Sequence, residues 1–192
     1  MNIPFMRFTN RVSTLIGIAC MAIASGLAVA AQADATDKAG VAVWQPYELD
    51  FHYFGTSTYY NCSSLEDRLE GILRELGADK DVRANVTGCF GSANLGKMLN
   101  AHINVRMPVL TNDTTADAFP VNSKTVSLKS GRSGDALGSD CELLEQIRDQ
   151  ILPALKLQAV KDDLSCIPGH ANYASRSLQV TAWVPEAKPA TH

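Results

Sequence analysis

The chain has 192 residues, with 17 Lys+Arg against 20 Asp+Glu and a formal net charge of −3. That balance argues against a nucleic-acid partner or a hold on an anionic membrane surface, both of which require a basic excess. A chain of this length can bury a core of its own, so any cross-links reinforce the fold rather than create it.

The first 33 residues have the three parts of a secretory signal peptide. Arg7 and Arg11 precede the apolar run Val12 to Ala30, and Ala31-Gln32-Ala33 is a small-residue cleavage site. Cleavage there starts the mature chain at Asp34, discards Cys20, and lowers Lys+Arg from 17 to 15 against 20 Asp+Glu, a net of −5. The run is short for a membrane span. The expectation is a periplasmic or secreted protein with no membrane anchor after cleavage, built as a single domain over residues 34–192 with frayed tails at 34–41 and 185–192.

Next along the chain, Tyr47, Leu49, Phe51 and Tyr53 alternate with Glu48, Asp50 and His52, a period of two that predicts a strand. A helix follows from Cys62 to about Leu76, capped by Asn61, with Leu65, Leu69, Ile72, Leu73 and Leu76 at helical spacing. Val82, Ala84 and Val86 then mark a returning strand, and Ile103, Val105, Met107 and Val109 another. Residues 111–123 read as a connecting loop. The second half repeats the order: Val126 and Leu128 on a strand, then a helix from Cys141, capped by Asp140, carrying Leu144, Ile147, Ile151, Leu152 and Leu155. Pro153 should end or bend that helix. A strand between Leu157 and Cys166 and a last one through Leu178, Val180, Ala182 and Val184 complete the pattern.

The order strand, helix, strand, strand thus occurs twice. Aligned on Cys62 and Cys141, Leu65 matches Leu144, Glu66 matches Glu145, Ile72 matches Ile151, Leu73 matches Leu152 and Leu76 matches Leu155. The predicted fold is α+β, a duplicated β-α-β-β unit (about 42–110 and 124–184) with a mainly antiparallel sheet and both helices on one face.

Four cysteines remain in the exported part, which allows three pairings. A helix from Cys62 to Leu76 rises roughly 22 Å, and the extended stretch to Cys89 returns about 27 Å. A strand lying antiparallel along the helix therefore brings Cys89 back to Cys62, and the same walk joins Cys141 to Cys166. Each bridge should contribute about 3–4 kcal/mol on the loop-entropy model. A redox role for Cys62 or Cys141 at a helix start is the lesser reading, because neither has Cys-x-x-Cys spacing.

The run Thr58-Tyr59-Tyr60-Asn61-Cys62-Ser63-Ser64-Leu65-Glu66-Asp67-Arg68, together with Asp140-Cys141-Glu142-Leu143-Leu144-Glu145-Gln146-Ile147-Arg148-Asp149-Gln150-Ile151-Leu152-Pro153, resembles a group of exported Gram-negative proteins that have no assigned function. The resemblance implies an exported protein of this fold and no particular chemistry.

Motifs that carry chemistry are lacking. The run from Gly91 to Met98 is one residue short of a phosphate-binding loop, and a strand rather than a helix follows it. The histidines of the exported part, His52, His102, His170 and His192, form no closely spaced metal-ligand pair, and no Gly-x-Ser-x-Gly elbow occurs. Asn112, Asp113 and Asp117 lack the spacing of a calcium loop. No cofactor or metal is expected. What remains is a polar strand face. Asp50 and His52 on one strand and His102 and Arg106 on another would gather acid, base and cation on one surface if the strands were neighbours. That surface reads first as a binding face for a protein or small molecule, and secondly as the site of an enzyme of unrecognised type using His52, His102 and Arg106.

Overall fold

A computed structural model of the chain describes residues 38–90, 95–112, 116–130, 140–167 and 176–186. The expected leader and its cleavage site, His170, His192, Asp113 and the glycine-rich residues 91–94 lie outside them.

The fold is α+β. Strand β1 (Ala39–Phe54) leads through a two-residue strand β2 (Tyr60–Asn61) into helix α1 (Cys62–Glu75). Then come β3 (Arg83–Thr87), the short β4 (Leu95–Gly96), β5 (Met98–Leu110) and β6 (Phe119–Lys129). A second helical stretch runs without a break through α2 (Cys141–Gln146), a π-helical segment (Ile147–Ile151) and α3 (Leu152–Ala154), followed by β7 (Gln158–Asp162) and β8 (Ser177–Pro185). Six strands form one sheet in the order β3-β5-β1-β6-β8-β7, every pairing antiparallel, and β2 pairs with β4 apart from it.

The two halves meet at β1 and β6 over a seam of only four residue pairs, from Ala39 opposite Asn122 to Ala42 opposite Phe119. In each half the last strand inserts between the other two: β5 lies between β1 and β3, and β8 between β6 and β7.

The alternation read from sequence appears as burial. Phe51 and Tyr53 of β1, Ala84 and Val86 of β3, and Ala101, Ile103, Val105 and Met107 of β5 face one cluster, as do Val126, Leu128, Leu178, Val180 and Ala182 of β6 and β8. The helices bury Leu65, Leu69, Ile72, Leu73 and Leu144, Ile147, Ile151, Leu152 in the same cluster. Each fully buried Leu or Ile there contributes about 1.5–3 kcal/mol.

Helix α1 begins as expected, with the Asn61 side chain accepting the Ser64 N–H at 2.7 Å. It ends in a Schellman motif: Ala78 N–H donates to the Leu73 carbonyl and Gly77 N–H to that of Arg74, with Gly77 at φ +93°. The second helical stretch ends the same way, with Leu157 N–H to Leu152, Lys156 N–H to Pro153, and Lys156 at φ +57°. In both cases the left-handed residue lies fifteen positions after the leading cysteine, from 62 to 77 and from 141 to 156.

Four expectations need correction. Residues 39–41 are strand rather than tail, because Gly40 and Ala42 pair with β6. The connecting loop ends at Phe119, not Ser123, because Phe119 and Pro120 already pair with β1. Asp140 makes no side-chain cap; its carboxylate is taken by Tyr60 and Arg68 instead. The second helix is not a plain α-helix. Leu152 N–H reaches back to Ile147, a five-residue step, one residue before Pro153, whose missing N–H removes the next α-helical bond.

The disulfides join Cys62 to Cys89 and Cys141 to Cys166, with Cα–Cα distances of 6.0 and 5.8 Å. Each ties a helix start to the chain that returns past it. Glutamates one turn further on brace the same return, as Glu66 accepts the Val86 N–H at 2.8 Å and Glu145 accepts the Cys166 N–H at 3.1 Å.

Candidate binding face

Because β1, β5 and β3 are adjacent, the residues opposite the core share one exposed surface. Asp50 stands directly across from His102, and His52 from Asn100. Asn85 flanks His102 from β3, and Glu48, Asn104 and Arg83 form the next row. Asp50 Oδ1 lies 3.0 Å from His102 Nδ1, and Asn100 Oδ1 lies 2.7 Å from His52 Nδ1. Both side chains of the Asp50–His102 pair are open to water, at 78% and 53% exposure, so their mutual attraction is screened.

Arg106 belongs to the same face but not to the same cluster. It lies four residues from His102 along β5, about 13 Å at strand rise, where its guanidinium is 2.9 Å from Asp79 and 3.5 Å from Asp81. The Lys80 hydrogen bond, helped by the charges of Lys80, Arg106 and Arg83, holds the Asp81 carboxyl below the usual range. With Pro46, Tyr47, Glu48, Asn104 and Val105, Asp81 and Arg106 line a shallow depression of about 220 Å³. Neither His52 nor His102 contributes to it.

Of the four residues expected together, the sheet therefore unites Asp50, His52 and His102 and sets Arg106 apart. Acid–base catalysis needs a reacting group within hydrogen-bond reach of the base and shelter from water. The residues directly opposite His102 are Asp50 and Asn85, and the hydroxyl of Thr87, diagonal to it on β3, lies 3.4 Å from the Asn100 carbonyl. Among the described residues no group of three or more His, Cys, Asp or Glu is placed to hold a metal ion.

The strongest electrostatics lie elsewhere, at the joint between the halves. Glu142, 6% exposed, projects from the first turn of α2 into the loop after β1. It accepts the N–H groups of Thr56, Ser57 and Thr58 at 3.1–3.2 Å, the Ser57 hydroxyl at 3.0 Å and the Thr56 hydroxyl. Burial pushes its carboxyl up, but these donors outweigh burial and hold it below the usual range. Beside it, Tyr60 donates to Asp140 at 2.5 Å, and Arg68 Nε lies 2.9 Å from the other carboxylate oxygen. Burial first, then the Asp140 charge, push the Tyr60 phenol far above its ordinary value. Tyr53, edge-on to Tyr60 with ring centroids 5.1 Å apart, is pushed up likewise by burial and by Glu142.

The sequence reading missed this network. The available signal was two acidic residues, Asp140 and Glu142, flanking a helix-leading cysteine, a pattern more simply taken as a cap. With every Glu142 oxygen occupied by donors, the cluster is a latch between the halves rather than a reactive centre.

The open face has one apolar corner. Trp44 stacks on Phe119 with centroids 4.6 Å apart, Trp183 lies half-buried nearby, and Leu110 packs so close over Gly40 that a Cβ there would come 2.8 Å from its Cδ2. Comparison with protein-family models, curated proteins and solved structures finds no match for this chain. The site is therefore read from its geometry. The two disulfides point to an oxidising, non-cytoplasmic compartment, and no described helix is long and apolar enough to cross a membrane.

Proposed function

We propose that this chain is an exported, disulfide-stabilised binding module, a single domain made from two copies of a β-α-β-β unit, with the open face of β1, β5 and β3 as its contact surface. One observation carries the reading. Asp50, His52, Asn85, Asn100 and His102 stand on three adjacent strands with Asp50–His102 and His52–Asn100 already in contact. Such a surface presents donors and acceptors at strand spacing with their orientation set before a ligand arrives, which lowers the entropy lost on binding. The equal helix lengths and matching strand insertion support the duplication, and the leader with its Ala31-Gln32-Ala33 site supports export. A catalytic use of the face has less behind it, because His52 and His102 lie outside the depression and no nucleophile stands across from His102.

The test has two parts. Fractionation and intact-mass analysis of the expressed protein should give an exported form starting at Asp34; a cell-retained chain still carrying residues 1–33 refutes export. A photo-crosslinking amino acid at His102 should then yield a discrete adduct that the same group at Asp67, on α1, does not. Equal adducts from both positions, or none from His102, would remove the face from consideration.

A further inference from the structure

Strand β1 turns alternate residues to its two edges. Thr111 N–H donates to the Val41 carbonyl and Gly55 N–H to the Lys97 carbonyl, which places odd-numbered residues of β1 in the hydrogen-bonded pairs with β5. The N–H and C=O groups of the even-numbered residues therefore point away from β5. At the start of the strand they meet β6, as where Ser123 N–H donates to the Lys38 carbonyl at 2.8 Å, and this pairing stops at Ala42. At the far end Gln150 and Gln146 take up the N–H and C=O of His52 and Phe54. Between these two stretches, nothing among the described residues pairs with the N–H or C=O of Glu48 or Asp50.

The other sheet edges are guarded. On β3, Glu70 and Glu66 accept the outward N–H groups of Ala84 and Val86. On β7, a bulge between Ala159 and Lys161 and the charge of Lys161 spoil the edge for pairing.

We propose that β1 from Pro46 to Asp50 is a docking edge for an extended peptide segment of a partner protein, one that alternates basic and apolar residues and adds antiparallel to the strand. A polypeptide backbone supplies donors and acceptors at the repeat of every second strand residue, about 6.7 Å. The flanking side chains specify the rest. Glu48 and Asp50 stand on the open face, so cationic side chains suit that side of the incoming strand. On the other side Tyr47 and Leu49 are only half-buried, whereas Phe51 and Tyr53 just beyond are sealed at 0% and 1% exposure. An apolar side chain laid against Tyr47 and Leu49 would complete their cover. The edge borders the face described above and shares Glu48 and Asp50 with it, but its backbone ladder is tested separately from what the side chains of the face bind.

Amide hydrogen exchange and a titration of the 15N-labelled protein with the blocked peptide Lys-Val-Lys-Val-Lys test the proposal. In the free protein the amides of Glu48 and Asp50 should exchange at least about tenfold faster than those of Leu49 and Phe51, and the peptide should slow them. Methylating the lysine backbone nitrogens of the peptide should weaken binding by about tenfold or more, since it removes the ladder donors and leaves every side chain in place. E48K should weaken the lysine peptide and favour its glutamate counterpart. Three results would each overturn the docking edge: Glu48 and Asp50 amides already as protected as Leu49, no peptide binding at millimolar concentration, or full binding of the methylated peptide with shifts confined to Arg106 and His102.

Discussion

Gln146 and Phe54, 92 residues apart in sequence, are joined as two strand residues would be: Gln146 Oε1 accepts the Phe54 N–H at 2.7 Å and its Nε2 donates to the Phe54 carbonyl at 2.9 Å. Gln150 repeats the pair with His52, at 2.9 Å in both directions. Glu142, one turn the other way, holds the loop beyond. Four residues of helix advance about 6 Å and two residues of strand about 6.7 Å, so one helix edge stays in step with alternate residues of β1. The second half thereby takes up the far end of the β1 edge, at His52 and Phe54, which β6 does not reach.

The two glutamines should therefore stabilise the joint measurably. Gln146→Ala and Gln150→Ala are each expected to cost about 1 kcal/mol, since each frees one backbone N–H and one C=O that water can partly re-satisfy. Urea denaturation reads the loss, and exchange of the Phe54 or His52 amide should accelerate in the matching variant alone. An unchanged midpoint for both variants would mean that the glutamines merely follow the strand edge.

Glu142 gives the fold a dependence on acid. A carboxyl whose folded pKa is depressed contributes stability that is fully present above its unfolded value, about 4.3, and is lost as pH falls through the lower folded value. Thermal melts of the wild type should decline as pH drops below about 4.3, and Glu142→Gln should start lower at neutral pH and decline less on acidification. Parallel curves for the two proteins would assign the acid sensitivity to other groups.

Both helices end on a left-handed residue, but only one is glycine. At Gly77 a Cβ would lie 2.2 Å from the Trp183 carbonyl oxygen, so Gly77→Ala should lose at least about 2 kcal/mol, combining a positive φ with a backbone clash. Lys156 holds the matching position at φ +57° with a side chain attached. Lys156→Gly is therefore expected to stabilise by about 0.5–1 kcal/mol, an unusual sign for a change to glycine. Denaturant midpoints moving in the same direction for both variants would contradict this account.

The disulfides close loops with sequence separations of 27 and 25. Removing either pair, as Cys62→Ala with Cys89→Ala or Cys141→Ala with Cys166→Ala, should cost about 3–4 kcal/mol on the loop-entropy model. Non-reducing peptide mapping should show each half linked to itself. Because Cys141 is fully buried while Cys166, Cys62 and Cys89 are half-buried, a reductant can attack either sulfur of the first bridge but only one of the second, and graded reduction should open the first bridge before the second. A peptide joining Cys62 or Cys89 to Cys141 or Cys166 would refute the pairing.

The sequence by itself determined whatever depends on neighbours within 27 residues, the longer of the two cysteine separations. Alternating apolar positions fixed the core side of β1, β3, β5 and β8, helical spacing fixed the stripe from Leu65 to Leu76, and chain length between cysteines was enough to choose their partners. It also put Asp50, His52, His102 and Arg106 on polar strand sides, since a period of two decides a face without knowing what lies across. Only the tertiary structure decided which strands are neighbours, and so that Asp50 meets His102 while Arg106 goes to Asp79 and Asp81. It also diverted Asp140 from a cap to Tyr60 and Arg68, and matched Gln146 and Gln150 to the far end of the edge that β6 leaves bare. These outcomes turn on which backbone groups and charges remain unsatisfied once the sheet has formed, a quantity set by contacts from 27 positions apart, for Arg106 and Asp79, to 98, for His52 and Gln150.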